Sequence, residues 1–260
     1  MAGEKEIVRL AAVADLHSGN SSASTWQPLF AKIAERADIL LLAGDLTDYG
    51  LPEEASALVQ ELRSALRIPI VAVLGNHDYE SGKQEEVRQI LSDGGIRVLD
   101  GTACEVHGIG FAGIKGFAGG FDRHILEPWG EASIKHLVKE AVDEALKLET
   151  ALARLRTPQR VVLMHYAPIR ATVEGEPAEI FPFLGCSRLE EPLGRYPVSL
   201  VFHGHAHHGR PEGRTRHGVR VLNVARALLQ ASYPDRPPFH LEEMAVTPEG
   251  MPAPEPARTE

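Results

Sequence analysis

Cysteine is scarce in this chain of 260 residues: Cys104 and Cys186 stand far apart, and neither belongs to a CxxC pair. A disulfide framework or a cysteine-ligated metal is therefore not expected, and both are read as reduced packing residues. Long apolar runs are missing too. No stretch reaches the length that crosses a bilayer, and Met1–Glu6 has no apolar signal core, so the expected place is the cytoplasm, with no membrane partner. Positive charge is in deficit: 27 Lys and Arg face 36 Asp and Glu, a net charge of -9. That balance argues against a general nucleic-acid or anionic-membrane surface, although it leaves room for a local positive site. Linker-like stretches are also absent from the interior, which points to one large domain over residues 1–246. The tail Thr247–Glu260, with its Pro, Ala and Glu, reads as disordered.

What the chain does contain is a repeated unit, a short apolar run ended by polar residues and followed by a helix-like segment. The run Ile39-Leu40-Leu41-Leu42-Ala43-Gly44-Asp45-Leu46-Thr47-Asp48 reads as a strand buried on both faces. A carboxylate there, Asp45, sits where ligands bind in open α/β sheets. Read alone, Asp45 is equally a turn residue, and Asp48 a cap for the helix near Pro52. Upstream, Ile7–Ala14 is a strand running into Asp15-Leu16-His17. The spacing places Asp15 and His17 on one side of an extended backbone, where they could share an ion, with an incidental turn as the plainer alternative. Ser21–Ser24 is the expected cap of a helix over Trp26–Arg36. A helix over Pro52–Leu66 leads to the strand Ile70–Leu74 and then Gly75-Asn76-His77-Asp78. Three repeats of strand, polar cluster and helix imply a parallel sheet whose strand ends share a rim.

The second half continues the pattern. After a helix at Gln84–Leu91, short strands near Ile96–Leu99, Cys104–Val106 and Ile109–Gly113 suggest an antiparallel meander at the edge of a second sheet. Gly113–Phe121 is glycine-rich but lacks the ending of a P-loop, and is read as a mobile loop at the substrate wall. Ser133–Arg156 has helical periodicity. Arg160–Met164 ends at His165, with Pro168 stopping helical continuation. Leu200–Phe202 runs into His203-Gly204-His205-Ala206-His207-His208, and Val219–Val224 and Phe239–Val246 read as closing strands. The insertion Ala171–Arg188 holds Glu174, Glu176, Glu179 and the apolar Ile180–Leu184, which either line a substrate cleft or form a packed surface loop.

Together the strand ends supply Asp15, His17, Asp45, Asn76, His77, His165, His205 and His207. Mixed carboxylate, amide and imidazole groups suit transition ions such as Mn, Fe, Co, Ni or Zn better than Mg or Ca. The candidates outnumber the coordination positions of one ion, so two ions sharing a bridging carboxylate fit better.

In this order the motifs D-x-H, G-D-x-x-D, G-N-H-D, a lone His after a strand and G-H-x-H resemble the calcineurin-like metallophosphoesterases. The resemblance covers about Val8–His207. It implies a four-layer α/β/β/α sandwich of two mixed sheets, with a dinuclear site of divalent or mixed-valence transition metals at strand ends. It also implies that Asp15, His17, Asp45 and His207 hold one ion and that Asp45, Asn76, His165 and His205 hold the other. His77 would then act on the phosphoryl group or the leaving oxygen. The implied activity is phosphoester hydrolysis by a metal-bridging hydroxide, with small-molecule phosphodiesters such as nucleotides as the expected substrates. Monoesters or phosphoproteins are the alternative, and a non-catalytic scaffold is the less favoured one. Asp48 and Asp78 are candidates to orient ligands. Where the family often has an Asn-Pro-Gly-Ser-like turn, this chain has Asn223-Val224-Ala225-Arg226. Arg226, Arg170 and Lys115 are the basic residues nearest the expected rim, and surface solvation explains each as well.

Overall fold

The computed structural model describes residues 6–19 and 26–246. The expected serine cap at 21–24 and the tail at 247–260 lie outside the described residues. In chain order the strands are β1 (Glu6–Val13), β2 (Ile39–Ala43), β3 (Ile70–Val73), β4 (Arg97–Val98), β5 (Thr102–Val106), β6 (Ile109–Gly113), β7 (Gln159–Leu163), β8 (Leu200–His203), β9 (Glu212–Arg214), β10 (Arg220–Asn223) and β11 (His240–Val246). The helices are α1 (Gln27–Ala34), α2 (Pro52–Ala65), α3 (Gln84–Asp93), α4 (Ala132–Arg154), α5 (Phe181–Leu184), α6 (Glu190–Arg195) and α7 (Arg226–Ser232).

Two mixed sheets result. The first has the order β11-β1-β2-β3-β4, with β1 to β4 parallel and β11 antiparallel along β1. The second runs β5-β6-β7-β8-β10-β9, parallel through β6, β7, β8 and β10 and antiparallel at both edges. The expected meander is corrected here. Residues 97–98 join the first sheet beside β3, whereas β5 and β6 form a hairpin in the second, where β6 is an interior strand. A two-residue strand between short turns carries too little alternation to reveal which sheet it joins.

The alternation of side chains explains the layers. On β2, Ile39, Leu41 and Ala43 enter the core between the sheets, together with Val161, Leu163 and Phe202 of the second sheet. Leu40 and Leu42 face the other way, onto Phe30 and Ile33 of α1 and Leu58 and Leu62 of α2. This is why the run has no polar residue: both of its faces are covered. Beyond the second sheet, Val162, Met164 and Val201 meet Ala141, Leu148 and Leu152 of α4 and Leu193 of α6. The outcome is a four-layer α/β/β/α sandwich in which β1, β2, β3, β7 and β8 all point their carboxyl ends to one rim.

Candidate metal centre

Each strand ends just short of its polar cluster, and turns carry the functional side chains. Asp15 and His17 do not lie on extended backbone as their spacing implied: both have left-handed φ, 58° and 47°, as do Asp45 at 49° and His205 at 69°. Left-handed residues other than glycine are uncommon, with Asp, Asn and His the most tolerant, and such strain gathers at functional sites. The turns interlock through main-chain bonds, the Asp15 amide donating to Gly44 O and the His17 amide to Asp45 O, both at 3.0 Å. Convergence thus comes from paired turns and not from strand pleating. Glycines permit the approach: a Cβ on Gly75 would overlap Asp45, one on Gly44 would overlap the His165 ring, and one on Gly204 would overlap Ala14 and Asp15.

The expected side chains fall into overlapping groups. Ligand-type atoms of Asp15, His17 and His207 lie within 4.8 Å of one another, as do those of His17, Asp45 and His77, and those of Asp45, His165 and His205. His207 Nε2 is 3.1 Å from Asp15 Oδ1. Asn76 Oδ1 is 3.0 Å from His165 Nε2. Asp45 is central: its Oδ2 faces His17 Nε2 at 3.8 Å, while its Oδ1 faces His165 Nε2 at 3.3 Å.

Main-chain carbonyls set the imidazole tautomers, since a carbonyl only accepts. His165 Nδ1–H donates to Ala43 O at 2.9 Å, so the neutral ring turns a lone pair at Nε2 toward Asp45 and Asn76 oxygens. In that neutral state three lone-pair atoms converge, an arrangement that needs a cation among them, a metal ion or, without one, a proton on Nε2. Burial by itself would drive His165 down, yet the Asp45 charge and hydrogen bond raise its pKa. Burial would likewise raise Asp45, but the His165 charge and the hydrogen bonds of His165 and the His77 amide hold it far below the usual carboxylate range. The donor set therefore fits a bound cation. His205 Nε2–H donates to Phe183 O at 3.2 Å, leaving Nδ1 as its free ligand atom. Burial, followed by repulsion from His165, pushes His205 down to about 4, which favours the neutral ring a metal requires. His77 Nδ1–H donates to Asp48 O at 2.7 Å, which turns Nε2 away from that carbonyl.

Groups beyond the candidate ligands hold this framework. Asp78 accepts from the Leu46, Thr47 and Gly75 amides and from the Thr47 hydroxyl, tying two of the turns together. Asp48 is no helix cap: Leu51 occupies that place, and Asp48 Oδ1 lies 3.6 Å from His17 Nδ1. Asn223 was visible in the sequence only as part of an unusual turn. It is fully buried, donates to Ala206 O at 2.8 Å between His205 and His207, and accepts from the Ala225 amide. His203 is buried on Thr172, and the His208 amide donates to Glu176.

The other expected wall elements are packed against their neighbours. The 113–121 loop is packed and hydrogen-bonded, Gly119 to Pro182 O and Gly120 to Gly185 O, so a mobile loop is corrected to a buried one. Lys115 lies among the Tyr79, Phe117 and Tyr166 rings. Arg170 stacks on Phe181 and Arg226 on Trp26. The insertion divides: Phe181 and Leu184 pack inward, whereas Ile180 and Phe183 remain exposed, and Glu174 pairs with Arg210.

Two mixed sheets with partly buried Asp and His clusters at the strand ends define an α/β/β/α protein whose rim could hold metal ions. More particularly, the chain belongs to the calcineurin-like phosphoesterases, whose family model matches residues 8–209. The family uses dinuclear transition-metal centres, and the clusters described here are of the kind that bind them. Solved structures share the fold. Phosphopantetheinyl hydrolase PptH from Mycobacterium tuberculosis aligns with a TM-score of 0.63 and 15% identity, over 94% of this chain and 98% of its own. TT1561 of Thermus thermophilus aligns at 0.52 and 16%, over 93% and 100%. The purple acid phosphatase PPD1 from yellow lupin aligns at 0.52 and 14%, over 80% of this chain and 39% of its own. No curated protein sequence matches the chain. No described helix is long and apolar enough to cross a membrane.

Proposed function

We propose that this chain hydrolyses small-molecule phosphodiesters, nucleotides among them, in the cytoplasm, with two transition-metal ions held at the strand-end rim. Asp15, His17, Asp45 and His207 hold one ion, and Asp45, Asn76, His165 and His205 hold the other. The observation that carries this reading is the placement of Asp45, whose two oxygens face two separate histidine groups. When bound, the ions supply Lewis-acid polarisation of the phosphoryl group and a lowered pKa for the attacking water.

The chain's own residues do the rest. His77, fixed through Nδ1 on the Asp48 carbonyl, presents Nε2 to hydrogen-bond the phosphoryl group or to protonate the departing alkoxide. Asp78, Asn223 and the carbonyls of Ala43 and Phe183 hold the ligands in register, so little reorganisation is needed when substrate arrives. Small esters are favoured over phosphoproteins by the compact chain and its single small insertion at 171–188, whose Phe183 carbonyl accepts from His205.

Hydrolysis of bis-p-nitrophenyl phosphate and p-nitrophenyl phosphate by the Mn-loaded chain tests the proposal. The expected result is metal-dependent turnover of both with the diester faster. A faster monoester would favour a phosphatase of monoesters or phosphoproteins, and no metal-dependent turnover of either would remove the assignment.

A further inference from the structure

Outside the metal centre, one cavity collects positive charge without acid. It has a volume of about 390 Å³ and lies where α1 ends, between α7 and the start of β11. Leu229, Tyr233, Phe239 and Leu241 make its apolar wall, and Arg36 and Arg236, both exposed, line it as well. No carboxylate lines it, and among the described residues neither arginine forms an ion pair, although Glu35 and Asp235 are their chain neighbours. Two uncompensated arginines are notable on a chain with a net charge of -9. Arg236 stacks on the Tyr233 ring at 5.5 Å, which orders its guanidinium beside the apolar wall. His240 adds no donor, because its Nε2 is engaged by Glu242 at 3.0 Å.

Apolar and aromatic walls with two lining arginines, at this volume, match the general make-up of small-ligand pockets. The flat apolar side suits a ring, and two guanidinium forks suit a carboxylate, sulfonate or phosphate. We infer that this cavity binds an aromatic ring bearing one anionic group, at a place that shares no residue with the metal centre. A nucleotide and an aromatic acid both answer to that chemistry.

The test uses the metal-loaded full chain titrated with 1-anilinonaphthalene-8-sulfonate, an aromatic sulfonate without an ester bond, followed by its fluorescence. One saturable site is expected, and the double variant Arg36→Gln, Arg236→Gln should bind about tenfold or more weakly. Turnover of bis-p-nitrophenyl phosphate should be the same in both proteins, since neither arginine touches the metal centre. Displacement of the probe by 5′-AMP but not by adenosine would support a nucleotide occupant. Displacement by 2-naphthoate and not by 5′-AMP would support an aromatic acid. Unchanged affinity in the double variant, or binding that does not saturate, would overturn the inference.

Discussion

At the scale of single residues, the chemistry depends on which atom each side chain leaves free. His77 is committed through Nδ1 to the Asp48 carbonyl and is assigned to the phosphoryl group and the leaving oxygen, not to an ion. His77→Ala is therefore expected to keep its metal content while kcat falls by about 10²- to 10⁴-fold, the usual span for a lost general acid. Metal analysis beside steady-state rates on bis-p-nitrophenyl phosphate checks both halves, and loss of metal in parallel with activity would make His77 a ligand. Lys115 allows a pH test away from the chemistry. Burial lowers its pKa, the Glu144 charge opposing that shift. The folded chain then binds this proton less tightly than the unfolded one, so stability from this group rises as pH climbs toward its ordinary value. Lys115→Met should accordingly stabilise the chain near pH 7, with the gain shrinking as pH rises toward 10; urea unfolding at several pH values measures it. A gain that grows with pH would show the sign to be wrong.

At the scale of elements, the site consists of turns more than strands. The strands and the identities of the rim residues were legible from sequence, because the runs 39–43 and 70–73 are covered on both faces and so lack polar residues. The turns were less legible. Nothing in the D-x-H spacing announces that Asp15 and His17 adopt left-handed backbone, since that conformation is forced by amides paired across two distant turns. Phe183 is legible as an apolar residue but not as the residue whose carbonyl accepts from His205, a contact that side-chain chemistry does not encode. The glycine-rich 113–121 loop misled for a related reason: glycine marks both flexible loops and crowded ones, and here a Cβ on Gly119 would strike Cys186. Crowding also gives the motif glycines a testable role. Gly75→Ala would drive a methyl group into Asp45, displacing the side chain that faces both histidine groups. About 10- to 100-fold weaker metal retention is expected, as for lost supporting contacts at metal sites. Titration of the apo variant with Mn measures this, and wild-type affinity would mean that Asp45 has room to move.

At the scale of the whole molecule, two sheets and their outer helices bring candidate ligands from positions 15 to 207 of the chain to one rim. Ions bound there join both sheets, because Asp15, Asp45 and Asn76 follow strands of the first and His165, His205 and His207 follow strands of the second. Binding to the folded chain alone should stabilise it by mass action. With each of the two ions near a hundred times its dissociation constant, a rise of roughly 10–20 °C in Tm over the chelator-treated protein is expected for a chain of this size. Calorimetry with and without Mn reads it, and identical midpoints would place the ions outside the fold's cooperative unit.

Everything proposed for the rim turns on Asp45 being shared by two ions. Counting bound Mn per chain by mass spectrometry of the reconstituted protein tests it most directly, in the wild type and in Asp45→Asn. Two ions are expected in the wild type and depletion of both together in the variant, whereas a variant that loses one ion and retains the other at full occupancy would show that Asp45 serves a single ion.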